Sequence, residues 1–141
     1  MTGVNYTYIP ETSTNIPALQ AVDTGAVGKR TAVLNGKGLA YGARSLSNGS
    51  SNIAYADNSH AEGNYTVAVG NSSHSEGAHT GTIGDYSHSE GQGTLAKGRV
   101  SHAEGYGTIA SGDNSHAEGN QSSAKGNNSH AEGYGTTSPD A

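Results

Sequence analysis

A pentapeptide, Ser-His-(Ala/Ser)-Glu-Gly, recurs six times at a strict spacing of 14 residues and constrains this chain more than any other feature. The copies begin at Ser59, Ser73, Ser87, Ser101, Ser115 and Ser129. Each copy is followed by a two-residue gap, a second five-residue segment such as 66–70, and another two-residue gap. A degenerate first copy begins at Ser45. A short, strict period of this kind predicts coils that fold by stacking on one another.

The composition excludes several other classes of protein. Only 31% of the 141 residues are apolar, and the chain has no Phe, no Trp and 22 Gly, so a conventional globular core is not expected. The absence of Cys excludes a disulfide scaffold and a thiolate metal site. The net charge of -5 and the scattered basic residues argue against nucleic acid as a partner. No run approaches the roughly 20 apolar residues of a membrane span, so membrane insertion is not expected either.

The two segments of each unit predict two strands joined by tight turns, which gives an all-β parallel β-roll, or solenoid, with 14-residue coils. Alternation along the first strand places Ser59, Ala61 and Gly63 on the inner face and His60 and Glu62 on the outer face. Thr66, Ala68 and Gly70 are expected to meet them in a lumen of small side chains. Residues 36–141 are predicted to form the roll, and residues 1–35 an N-terminal cap or attachment segment.

The two outer faces differ in a way that suggests a partner. The His/Glu face is the same in all six copies, whereas the outward residues of the second strand vary from Val67 to Lys97. A solvated face has no reason to stay constant within one chain, so the constant face is expected to pack, most simply against further copies of the same chain about a rotation axis. The predicted interface comprises His60, Glu62, His74, Glu76, His88, Glu90, His102, Glu104, His116, Glu118, His130 and Glu132.

This unit resembles the head repeat of YadA-like trimeric adhesins, in which a Ser-Val-Ala-Ile-Gly strand stands where this chain has residues 59–63 and their sister copies. The resemblance covers about residues 36–138 and implies a left-handed β-roll and a homotrimer whose His and Glu positions face the axis. The Ser-His-Ala-Glu-Gly variant is similar to repeats of phage tail fibres and tail spikes. It implies a virion tail fibre, or a component of a phage-like particle, that is joined to a tail or baseplate protein through residues 1–35 and binds a host glycan or protein.

Two alternatives stay open: the head domain of a bacterial trimeric adhesin at the cell surface, and a polysaccharide-cleaving tail spike. The absence of a secretion signal, a coiled-coil stalk and a membrane barrel from the sequence favours the phage-derived particle. No cofactor is expected, and the protein is not expected to be an enzyme. Ser59 and His60 are adjacent on a strand and point to opposite faces, which precludes a hydrolytic triad with Glu62.

The chemistry of the repeated His and Glu has two interpretations. The favoured one is hydrogen bonding between chains, in which the His of one chain donates to the Glu of its neighbour. The alternative is a metal ladder, disfavoured because no distinct fourth ligand is evident; its ligands are His60, His74, His88, His102, His116 and His130. Candidate receptor contacts are the turn tyrosines, with packing at the turn edges as the other explanation for their position: Tyr65, Tyr86, Tyr106 and Tyr134. Residues 25–31 lack the residues of a phosphate-binding loop, and His79 is expected to be a solvated turn residue.

Overall fold

The computed structural model describes residues 31–34 and 38–139, and within these ranges it is a parallel β-solenoid made of two eight-stranded sheets. Odd-numbered strands form the first sheet and even-numbered strands the second, each in chain order. Every strand pairs with the strand 14 residues away, as in His60 with His74 and Val67 with Gly81. The predicted all-β fold and its 14-residue coil are therefore confirmed.

The strands of the first sheet follow the pentapeptide. They are β1 (Ala32–Leu34), β3 (Leu46–Ser50), β5 (His60–Asn64), β7 (His74–Ala78), β9 (His88–Gln92), β11 (His102–Tyr106), β13 (His116–Ala117) and β15 (His130–Ala131). The strands of the second sheet have only two residues each, shorter than the predicted five. They are β2 (Leu39–Ala40), β4 (Ile53–Ala54), β6 (Val67–Ala68), β8 (Gly81–Thr82), β10 (Leu95–Ala96), β12 (Ile109–Ala110), β14 (Ser123–Ala124) and β16 (Thr137–Ser138).

The lumen contains small side chains, as predicted. Apart from glycines, the fully buried residues of the described coils are Ala, Ser and Thr and one Asn, Asn52, which has the largest of these side chains. Hydroxyl groups form hydrogen bonds with one another across this thin interior. Examples are Ser75 Oγ with Thr80 Oγ1 at 2.8 Å and Ser89 Oγ with Thr94 Oγ1 at 2.7 Å. The two sheets are thus held together by hydrogen bonds and methyl contacts rather than by large apolar side chains.

The motif serine closes the turn that precedes it. Ser59 Oγ donates to the Ala56 carbonyl at 2.6 Å, and Ser87 Oγ donates to the Gly84 carbonyl at 2.6 Å. Equivalent bonds at 2.6–2.7 Å recur at Ser45, Ser73, Ser101 and Ser115. This local bond explains why the first residue of the motif is a serine.

The motif glycine does not lie in the lumen, which corrects the expectation for Gly63. Gly63 is exposed and has φ +110°, so the strand bends there and the inside/outside alternation stops after Glu62. A Cβ at this position would meet the Gly77 carbonyl oxygen of the next coil at less than a van der Waals distance. Only glycine suits a position that combines this φ with so close a backbone approach.

The sheet begins inside the segment that was assigned to the N-terminal cap. Ala32, Val33 and Leu34 of β1 pair with Leu46, Ser47 and Asn48 of β3 in the same register as all later coils. Counting back 14 residues from Ser45 gives Thr31, so the period itself marks this additional degenerate coil. The rest of the predicted cap or attachment segment, residues 1–30 and 35, lies outside the described residues, and this includes residues 25–30 of the rejected phosphate-binding loop. No helix in the described ranges has the length and hydropathy needed to cross a membrane.

Candidate functional site

The first sheet places the motif His and Glu side chains in two parallel columns on its outer face. His60 pairs with His74 and Glu62 with Glu76, and the register continues unchanged through β9 and β11. His116 and His130 extend the histidine column into β13 and β15. We call these columns together the His/Glu ladder: His60, Glu62, His74, Glu76, His88, Glu90, His102, Glu104, His116, Glu118, His130 and Glu132. The structure therefore brings all twelve predicted interface residues onto one face.

The imidazole rings of the ladder stack on one another. Successive ring centroids are 4.6–4.9 Å apart and the interplanar angles are 0–8°. From His60 to His116 the side chains are 33–39% exposed, and His130 at the end of the column is 54% exposed. A parallel, in-register sheet places each ring over its own copy, so the stack is a direct consequence of the repeat.

The carboxylates of Glu62 and Glu76 each contact imidazoles of two successive coils. Glu62 Oε2 is 3.6 Å from His60 Nε2, and Glu62 Oε1 is 3.7 Å from His74 Nε2. Glu76 repeats the pattern at 3.9 Å to His74 and 3.8 Å to His88. These gaps are too long for hydrogen bonds. The His–Glu proximity that was expected between chains is thus already present within one chain.

Burial determines the charge of the imidazoles in the middle of the ladder. It lowers the pKa of His74 below the ordinary value of 6.5, and the neighbouring His60 lowers it further, against the opposing effect of Glu62. The pKa of His88 is lowered in the same way by burial and by His74, against Glu90 and Glu104. At neutral pH these rings are therefore neutral and do not compensate the carboxylates between them.

The motif serine is not a partner of the motif histidine. Ser59 is buried and its hydroxyl donates to the Ala56 carbonyl on the inner side, whereas His60 points outward. The geometry therefore agrees with the argument against a Ser59, His60 and Glu62 triad.

The four candidate tyrosines do not form one surface. Tyr65 follows β5, Tyr106 is the last residue of β11, and Tyr134 lies after β15, so these three are at one edge of the roll. Backbone bridges through Asn120 join Tyr106 and Tyr134. Tyr86 precedes β9 and lies at the opposite edge, where Arg99 is 5.5 Å from its ring centroid. All four are at least half exposed, between 50% and 79%. His79, also exposed, stacks on Tyr65 with centroids 5.2 Å apart.

The second sheet carries an exposed apolar stripe that was not singled out from the sequence. It consists of Tyr41, Tyr55, Val69 and Ile83, which are 38–59% exposed and occupy equivalent positions of four successive coils. Lys97 takes the same position in the next coil, which ends the stripe. Reading the column at positions 41, 55, 69 and 83 down the 14-residue period is the signal that would have found it.

Fold and site together define a repeat protein of the parallel β-solenoid class with a ladder of ionisable side chains on one sheet. Neither the family models nor the curated proteins with which the chain was compared give a match.

Proposed function

We propose that this chain is a structural module that assembles as a homotrimer through the His/Glu ladder, in a tail fibre of a phage or phage-like particle. The observation that carries the proposal is that the ladder is the same in six coils and lies on one regular sheet face. Its side chains are still about one-third exposed in the single chain, so the face has surface left to bury against a partner.

A second copy of the chain suits this face because it has the same spacing. Strands of a parallel sheet repeat at about 4.8 Å, so ladders of neighbouring chains match coil by coil. The lumen buries only small side chains, which gives a single chain little apolar stabilisation. Rotational symmetry about an axis parallel to the solenoid would bury the same face of every chain.

The exposed face of the second sheet is the proposed host-binding surface. Tyr41, Tyr55, Val69 and Ile83 present apolar and aromatic groups, and aromatic side chains are common at sites that contact other molecules. The turn residues Tyr65, Tyr106 and Tyr134 line an adjacent edge. The head of a bacterial surface adhesin is supported by the same features, and the neighbouring genes distinguish it: tail and baseplate genes favour the fibre.

The oligomeric mass of the purified full chain tests the assembly. Light scattering is expected to give three times the chain mass. Glu90→Lys is expected to lower the trimer fraction because it removes the carboxylate that accepts from the neighbouring chain's imidazole and brings three longer cationic side chains together at the axis. Leu95→Lys is the matched control, since Leu95 lies in the same coil but points outward from the second sheet. The apolar double variant His88→Val/Glu90→Ile is expected to keep the trimer.

A monomeric unmodified protein would refute the assembly. Dissociation by Leu95→Lys but not by Glu90→Lys would place the interface on the second sheet instead. Cleavage of a host polysaccharide by the purified chain would overturn the non-enzymatic role and favour a tail spike.

A further inference from the structure

The imidazole nitrogens of the ladder are placed between carboxylate oxygens at an unusual distance. His74 Nε2 is 3.7 Å from Glu62 Oε1 of the preceding coil and 3.9 Å from Glu76 Oε2 of its own coil. His102 Nε2 is 3.8 Å from Glu90 Oε1 and 3.7 Å from Glu104 Oε2. Both nitrogens are enclosed and make no hydrogen bond.

These distances fit an ion better than a hydrogen bond. An N–H···O bond spans about 2.7–3.2 Å, so these gaps are too wide for one. Two ligand atoms bound to one Zn²⁺ at about 2.0–2.2 Å in a tetrahedral arrangement lie roughly 3.4 Å apart. Shifts of a few tenths of an ångström in the Glu side chains, which are about one-third exposed, would therefore bring nitrogen and oxygen into one coordination sphere.

The ring stack determines which side chains can share an ion. The lone pair of an imidazole nitrogen lies in the ring plane, and rings of adjacent coils are parallel with centroids up to 4.9 Å apart. One ion cannot lie in the planes of two such rings, so two stacked His are a poor pair of ligands. One His with the two carboxylates beside it is free of this conflict. Glu62, His74 and Glu76 form such a group, with both carboxylates within 3.9 Å of the His74 Nε2 atom. The intervening coil has the same arrangement in Glu76, His88 and Glu90, and it competes for Glu76.

Charge limits how many coils can be filled. The two oxygens of Glu76 face His74 and His88, so ions on these adjacent coils would share a carboxylate at a separation near the ring spacing of 4.9 Å. Two divalent ions repel four times as strongly as two unit charges at the same distance. Ions on alternate coils have two carboxylates each and are neutralised.

We propose that the His/Glu ladder binds divalent transition-metal ions of the Zn²⁺ type at alternate coils, each held by one His and the two Glu that flank it. The sites are Glu62, His74 and Glu76, then Glu90, His102 and Glu104, and at the more exposed end Glu118, His130 and Glu132. Water completes a four-coordinate site. Each site is complete within one chain, so the inference does not rest on the proposed trimer.

The electrostatics of the ladder favour such ions. Six carboxylates stand in one column at the strand spacing, so a cation bound between them lowers their mutual repulsion. The sequence disfavours a metal ladder built from His alone, because no distinct fourth ligand is evident there. The parallel register supplies the second carboxylate from the preceding coil.

Calorimetric titration of the chelator-treated full chain with ZnCl₂ at about pH 7.5 tests the proposal. About three Zn²⁺ per chain are expected. The near-isosteric double variant Glu76→Gln/Glu104→Gln removes a carboxylate beside each of four imidazoles: His74, His88, His102 and His116. Only the site of His130 keeps both carboxylates, so this variant is expected to bind about one Zn²⁺ per chain. Asp85→Asn/Asp113→Asn is the matched control because it removes two carboxylates from a turn column where Asn127 already makes the same backbone contact. It is expected to bind as many ions as the unmodified chain.

Nitrogen-15 NMR of the unmodified chain gives a readout that needs no variant. Zn²⁺ is expected to shift the Nε2 signals of the ladder histidines and to leave that of His79 unchanged. The proposal is overturned if the unmodified chain binds no Zn²⁺, if both double variants bind equally, or if Nε2 signals do not respond and the ion is held by carboxylates alone. The oligomeric mass, measured with and without Zn²⁺, reports separately on the trimer.

Discussion

Replacing Gly91 with Ala tests why the last residue of the motif is always glycine. Gly91 is exposed, and an exposed residue usually tolerates a methyl group. Its φ is +101°, however, and an added Cβ would press on the Gly105 carbonyl oxygen of the next coil. Backbone strain of about 1–3 kcal/mol and overpacking of about 1–3 kcal/mol together predict a loss of stability of about 2–6 kcal/mol.

Gly93, two residues further along the same coil, is the matched control. Its φ is +68°, and the atom nearest to an added Cβ, the Gly107 Cα, is 4.0 Å away. Tyr65, His79 and Gln121 adopt nearly the same φ in other coils, so a side chain fits this column. Gly93→Ala is expected to cost only the left-handed backbone preference, about 1 kcal/mol.

Guanidinium unfolding followed by circular dichroism at one fixed chain concentration gives the comparison, because assembly would make the midpoint depend on concentration. The midpoint of Gly91→Ala should fall far below that of Gly93→Ala. Equal midpoints would show that contact with the next coil does not fix the motif glycine, and the explanation from backbone approach would be wrong.

Two further changes test the lumen and the ladder. Ala103 is completely buried, so Ala103→Leu should overpack the lumen and lower the midpoint of thermal unfolding. Lys97→Leu, on the exposed face of the second sheet, is the control and should leave that midpoint unchanged. Equal midpoints of the two variants would contradict the packing of the thin lumen. The lowered pKa of His88, which faces His74, His102, Glu76 and Glu90, means that the unfolded chain takes up a proton first as the pH falls. With a chelator present, the contribution of His88 to the free energy of unfolding should be constant above about pH 6.5. As the pH falls from there to the pKa of His88 in the folded chain, the free energy of unfolding should decrease, and it should decrease less in His88→Leu. A stability that rises between pH 6.5 and 5 would contradict the direction of this shift.

The sequence was sufficient to predict the coil, the register and the faces, because each depends only on the period and on strand alternation. The 14-residue spacing alone places His60 over His74, and alternation alone separates Ala61 from Glu62. Contacts that depend on backbone detail could not be predicted in this way. The exposed position of Gly63 follows from a bend at positive φ, and Val100 adopts φ +58° although β-branched residues disfavour it. The second carboxylate beside His74 and His102 was also missed, because a Glu side chain must turn toward the following coil to provide it.

Stacking explains most of the repeated residues, but it does not explain Glu. Serine hydrogen-bonds within the turn that precedes it, glycine permits close approach of the coils, and the imidazoles stack on their copies. Like charges about 4.8 Å apart instead repel by about 3 kcal/mol at an effective dielectric near 20. The two degenerate coils show how this cost is linked to histidine: β3 has Leu46 in the His column and Asn48 in the Glu column, and β1 has Ala32 and Leu34. His and Glu are thus present together in six coils and absent together in two. A role in packing alone would allow either column to change independently, so the joint pattern indicates that the imidazole nitrogen and the carboxylates act on the same ion, proton or partner group.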